Sequence, residues 1–97
     1  MDFEWDESKN KTNIARRDLD FADVGQIFDA PMLVRIDNRK DYGEERFVGI
    51  GFLQNLVVVI VFTEPSAQTI RVVSLRKALK YEREEFEKYI TNRLGET

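Results

Sequence analysis

Apolar and polar positions change their period several times along the chain, and each change marks an element. Phe3, Glu4 and Trp5 alternate as a short strand does. Asp6 then stands where a side chain caps a helix over about residues 7–17, with Glu7 at that helix's positive end. Asp20 is a second cap candidate, and Phe21, Val24, Ile27 and Phe28 recur at helical spacing until Pro31 stops the pattern. Met32–Ile36 reads as a strand, followed by a polar turn from Asp37 to Gly43. In Arg46–Phe52 the even positions Val48, Ile50 and Phe52 define an apolar face. Leu56–Phe62 is almost wholly β-branched, as in a strand covered on both faces. Thr69–Leu75 follows it after a turn expected at Pro65-Ser66. Leu79, Phe86, Ile90 and Leu94 share adjoining parts of a last helix, with Gly95 available to cap it. The expected order is β-α-α-β-β-β-β-α. It describes an α+β fold with a four-stranded antiparallel meander, two N-terminal helices and a C-terminal helix, as one domain over residues 1–97.

Composition narrows the class. Hydrophobic residues make up 42% of the 97, including seven Phe, so a core forms without staples; cysteine is absent, which removes disulfides and thiolate chemistry. The longest apolar run, Leu56–Phe62, is far short of the ~20 residues of a membrane helix, and the acidic start (Asp2, Glu4, Asp6, Glu7) is unlike a signal peptide. A cytoplasmic protein is expected. The net charge of −3 conceals two basic windows. Lys9–Arg17 holds Lys9, Lys11, Arg16 and Arg17 with no acid, and Arg71–Arg83 holds Arg71, Arg76, Lys77, Lys80 and Arg83 against Glu82. Such windows are either solvated faces or phosphate-binding surfaces.

Several stretches, in this order and spacing, resemble the BrnT family. They are Phe3-Glu4-Trp5-Asp6 with Lys9, Asn13 and Phe21; Phe28-Asp29-Ala30-Pro31; Glu45-Arg46-Phe47 with Ile50-Gly51; and Arg71 through Ala78 with Glu82-Arg83. The resemblance spans about residues 3–86. It implies a RelE-like fold, a ribonuclease toxin and a BrnA-like antitoxin that neutralises it and represses their shared operon. Hetero-oligomers with that antitoxin are implied as well. One departure stands out. Where the family carries Lys-His-Gly, this chain has Arg16-Arg17-Asp18, and it contains no histidine anywhere.

RNA cleaves itself when a 2′-hydroxyl loses its proton and attacks the adjacent phosphorus. A protein assists by moving protons and by stabilising the phosphorane oxygens. No metal or other cofactor is required. With His and Cys absent, arginine suits the stabilising role because its planar fork stays charged and donates two hydrogen bonds to one phosphate. Arg46, Arg71 and Arg76 are the candidates. Simple alternation puts Arg71 and Arg76 on opposite faces of their strand, so one site needs a twist or bulge before Leu75. Glu64, which matches a family Glu after a Val-rich strand, is either a proton carrier or a turn residue. Lys9 and Asn13, four apart on one helix face, together with Arg17 and Lys77, are the candidates for RNA binding. The fold is expected to bring Lys9, Arg46, Arg71 and Arg76 to a common groove that an antitoxin covers. Trp5, Phe21 and Phe28 read as core, and Tyr42, in a charged turn, as a stacking or partner contact. The alternative to an enzyme is a catalytically weakened binding module that keeps its antitoxin partner and acts in operon regulation.

Overall fold

A computed structural model describes residues 1–95. Its elements are β1 (Asp2–Glu4), α1 (Glu7–Arg17), a 3-10 turn (Phe21–Asp23), α2 (Gly25–Phe28), β2 (Leu33–Asp37), β3 (Arg46–Leu53), β4 (Leu56–Ser66), β5 (Thr69–Lys77) and α3 (Lys80–Gly95). The sheet has five strands in the order β1-β5-β4-β3-β2. The expected antiparallel meander is present as β2 to β5. The sheet is nonetheless mixed, because β1 adds to β5 in parallel, with Phe3 opposite Ile70 and Glu4 opposite Arg71. That pairing joins distant parts of the chain, which local periodicity does not reveal.

The second helix is shorter than its apolar spacing suggests. Asp20 caps Ala22 N–H at 2.9 Å and starts a 3-10 turn, after which α2 makes barely one turn before Pro31. The junction is fastened by Asn10, a residue the periodicity did not single out. Its side chain is 5% exposed; it donates to Asp20 Oδ1 at 2.9 Å and accepts from Phe21 N–H at 2.8 Å. The turn expected at Pro65-Ser66 lies two residues later. β4 continues to Ser66, which pairs with Thr69, and a register shift between Thr63 and Ser66 accommodates the proline.

The sheet is covered on both faces. On one, Val58, Ile60, Phe62, Ile70, Val72 and Leu75 meet Leu19, Phe21, Val24 and Ile27 from the helical segment after β1. On the other, Ile50 and Val59 meet Ala78 and Phe86, with Tyr89 and Ile90 of α3 packed alongside. β4 feeds both clusters, as expected from its β-branched run. Trp5 and Phe28 pack against the larger core as partly buried residues, and Phe21 is fully part of it.

No described helix is long and apolar enough to cross a membrane.

Candidate arginine row and basic hollow

The geometry of the site follows from one extra residue. In β5, Ser74 is paired with Val61 but Val72 with Phe62, so Val73 is a bulge with no partner of its own in β4. A bulge reverses the alternation beyond it. Ile70 and Val72 before the bulge and Leu75 after it all enter the larger core. Arg71, Ser74 and Arg76 consequently project from the opposite face, the one covered by α3. The conflict between Arg71 and Arg76 in simple alternation is thereby removed.

Across that face runs a transverse row. Asp37 is opposite Arg46, Thr63 is opposite Arg71, and Arg71 is opposite Glu4. Arg46 and Thr63 are neighbours one step beyond the Phe47–Phe62 pair. Arg46 has no carboxylate partner among the described residues; its guanidinium carbon lies 3.9 Å from the centre of the Tyr42 ring, a cation–π contact. Tyr42, expected as a stacking or partner contact, thus touches a candidate arginine of its own chain. Arg71 faces Glu4 at 3.6 Å, a long pair between two half-exposed side chains.

Arg76 is held more firmly. It donates to both Glu82 oxygens at 2.7 and 2.8 Å, while Glu82 Oε1 also accepts Leu79 N–H at 2.7 Å at the entrance to α3. The Arg76 hydrogen bonds hold the Glu82 carboxyl below its ordinary range, and the carboxylate raises Arg76 in turn. Arg76 lines a cavity of ≈ 460 Å³ whose other basic residues, Arg35 and Arg39, are paired with Glu85 and Asp37. Every arginine of that cavity therefore has its own carboxylate.

The helix α1 lines a different hollow, of ≈ 340 Å³, formed by Lys9, Arg16 and Arg17 with Ser8, Thr12 and Asn13 against Val73 and Ser74. Among the described residues, no carboxylate lines it. Its floor is the β5 bulge, at a stretch where β1, pairing only with residues 69–71, has left the strand edge open. The common groove expected for Lys9, Arg46, Arg71 and Arg76 is thus two surfaces: Lys9 and Arg76 line separate hollows that share Ser74. Asn13 is committed elsewhere, because its Nδ2 donates to Leu19 O at 2.9 Å and closes the α1 terminus. Arg17 is exposed in the last turn of α1. Asp18 follows in the left-handed conformation at φ 57°, where the family glycine would sit without strain.

Glu64 is exposed and, by alternation from Thr63, its side chain points away from the arginine row; it lines a hollow with Glu44, Glu45, Phe47, Thr63 and Pro65. The aliphatic surroundings expected to make it a proton carrier are not there. Lys77 is exposed at the end of β5, on the other face from Arg76.

Comparison with known proteins agrees with this architecture. Residues 5–82 match the family described as ribonuclease toxin, BrnT, of type II toxin-antitoxin system. The crystal structure of the Brucella abortus ribonuclease toxin, BrnT, is similar at 29% sequence identity and a TM-score of 0.64, covering 82% of this chain and 99% of that one. No curated protein matches the sequence. A family match across most of the chain and a structural likeness over nearly all of the Brucella protein lead to one conclusion: this chain belongs to the BrnT family of ribonuclease toxins of type II toxin–antitoxin systems.

Proposed function

We propose that this chain is the ribonuclease of a toxin–antitoxin pair, cleaving RNA without a metal by 2′-hydroxyl attack. The observation that carries this reading is the Val73 bulge, which turns Arg71 and Arg76 to the face that also holds Arg46. Three guanidiniums on one face suit a phosphorane, whose charge grows on non-bridging oxygens as the transition state forms. Lys9, Arg16 and Arg17, without carboxylate partners among the described residues, receive the RNA backbone at the edge of β5, and Lys77 adds a charge farther along that strand. With Glu64 pointing away from the row, proton donation to the departing 5′-oxygen is left to a lysine. A BrnA-like antitoxin silences the protein by covering the basic hollow with an acidic segment, since complementary charge speeds capture.

A second reading draws on a separate observation. Arg76 is doubly bonded to Glu82, and Arg71 faces Glu4, so two of the three guanidiniums already have carboxylates of their own. In this reading the chain binds its antitoxin and takes part in operon regulation without cleaving RNA. One experiment separates the two: purified native protein, Arg71→Ala and Arg17→His are incubated with one RNA in chelator from pH 5 to 9. Native activity that falls roughly 100- to 1,000-fold in Arg71→Ala supports the ribonuclease. Activity that appears only in Arg17→His, with a new dependence near the histidine pKa, supports the binding module.

A further inference from the structure

Two buried side-chain polar atoms among the described residues have no hydrogen-bond partner, Arg46 Nε and Thr63 Oγ1. They belong to adjacent positions of the transverse row, on β3 and β4. Thr63 is 2% exposed, and its Cα partner on the other side is Arg71. An unpaired buried donor or hydroxyl costs about 1–3 kcal/mol, so two at neighbouring positions are a standing expense unless something else satisfies them. A valine would fill the Thr63 position without a hydroxyl, and valine already occupies 57, 58, 59 and 61 of the same strand. The hydroxyl is therefore out of keeping with its strand.

We infer that Arg46 Nε and Thr63 Oγ1 form a seat for one oxygen of an RNA phosphate, with Arg71 flanking it and Tyr42 as its cover. Arg46 and Thr63 stand one step beyond the Phe47–Phe62 pair, and one phosphate oxygen can accept from both an N–H and a hydroxyl. Arg71, across from Thr63, supplies a third donor and the second charge. Tyr42 closes the seat by stacking on Arg46. It is held lightly, through a 3.4 Å hydrogen bond from its hydroxyl to Asp37 Oδ2, and Gly43 beside it has φ 75°, a conformation suited to a bend. Lifting the Tyr42 segment opens the seat without disturbing the sheet. Thr63 thereby becomes a phosphate-contacting residue. The inference rests on the ribonuclease reading for its choice of ligand and not for its geometry.

The test measures binding of adenosine 3′-monophosphate by calorimetry, and RNA cleavage in parallel, for native protein, Thr63→Val, Thr63→Ser, Arg46→Lys and Tyr42→Ala. Thr63→Val is expected to weaken nucleotide binding about tenfold, the loss of one hydrogen bond to a charged group, with thermal stability equal or higher. Thr63→Ser restores it. Arg46→Lys, which keeps the charge and removes the Nε–H, weakens binding similarly and covers the case in which the valine variant fails to fold. Tyr42→Ala binds at least as tightly as native. Native-like binding by both Thr63→Val and Arg46→Lys, or loss of binding in Tyr42→Ala, overturns the seat. The two readings fail separately. Nucleotide binding that depends on Thr63 in a native protein that leaves RNA intact retains the seat and removes the ribonuclease. RNA cleavage that is indifferent to Thr63→Val does the reverse.

Discussion

Arg76 and Glu82 are joined by two hydrogen bonds, and the same Glu82 carboxylate accepts the Leu79 backbone N–H that opens α3. One side chain thus orients a candidate phosphate ligand and caps a helix. Glu82→Ala is expected to destabilise the fold by about 1–3 kcal/mol, combining a lost charged hydrogen bond with a lost cap. It also frees Arg76. Urea unfolding checks the first effect, and RNA affinity at low salt the second, which should rise or hold. A loss of RNA binding equal to that of Arg76→Ala would mean that orientation by Glu82, and not the free charge, is what the site uses.

Asp37 is the most acid-shifted group of the cavity. Hydrogen bonds from Arg39 bring its carboxyl to about 2, against an ordinary 3.8. Between these values the unfolded chain binds a proton that the folded chain does not, so stability rises with pH across this interval. The contribution is complete above about 4 and gone below about 2. Denaturation of native protein and Asp37→Asn should therefore give a stability difference that shrinks as pH falls from 4 to 2. A difference independent of pH would show that the ion pair is not the source.

Gly51 lies where β3 meets α2. A Cβ there would stand 2.8 Å from Ile27 Cγ2, in a side chain with no exposure, whereas at Gly49 the nearest atom, at 2.5 Å, is the mobile end of Met32. Gly51→Ala should cost about 1–3 kcal/mol and Gly49→Ala less, because a thioether repacks and a buried β-branched chain does not. Thermal melts of the two variants give the comparison directly.

The pattern of apolar positions gave away most of the elements, since β4 must be β-branched to face two cores and α1 must begin at a capping Asp6. It could not give the β1–β5 pairing, which depends on residues 2–4 and 69–71, far apart in sequence, meeting in space. The Val73 bulge was half legible. Ile70, Val72 and Leu75 are apolar at spacings of two and three, and the odd step of three marks the extra residue. The basic windows were visible as charge, but the pairing of Arg71 with Glu4 and of Arg76 with Glu82, set against a hollow of Lys9, Arg16 and Arg17, depends on where the carboxylates fall after folding. Thr63 left only a faint trace, a hydroxyl ending a valine-rich run.

Arg17 and Asp18 offer a paired test of the departure from the family pattern. Asp18→Gly should raise stability by up to about 1 kcal/mol, since glycine adopts the left-handed backbone without a Cβ penalty. Its RNA binding should be unchanged. Arg17→Ala should instead leave stability unchanged and lower the salt dependence of single-stranded RNA binding by about 0.7 in slope, the signature of one phosphate contact. A slope equal to the native one would place Arg17 outside the interface.

The parallel pairing of β1 with β5 has a consequence for synthesis. Phe3 lies opposite Ile70 in the sheet, with its ring tilted against that of Phe28 at 5.4 Å between centres, and the first strand has no sheet partner until β5 has been made. On a ribosome, the N-terminal segment must wait, unpaired, while the next sixty or so residues emerge, and closing so long a loop is slow. The edge of β5 that floors the basic hollow forms in that same last stage. A nascent chain therefore has neither its basic hollow nor its arginine row until β5 has emerged, which leaves an interval in which a partner already present can meet the protein before either surface has formed.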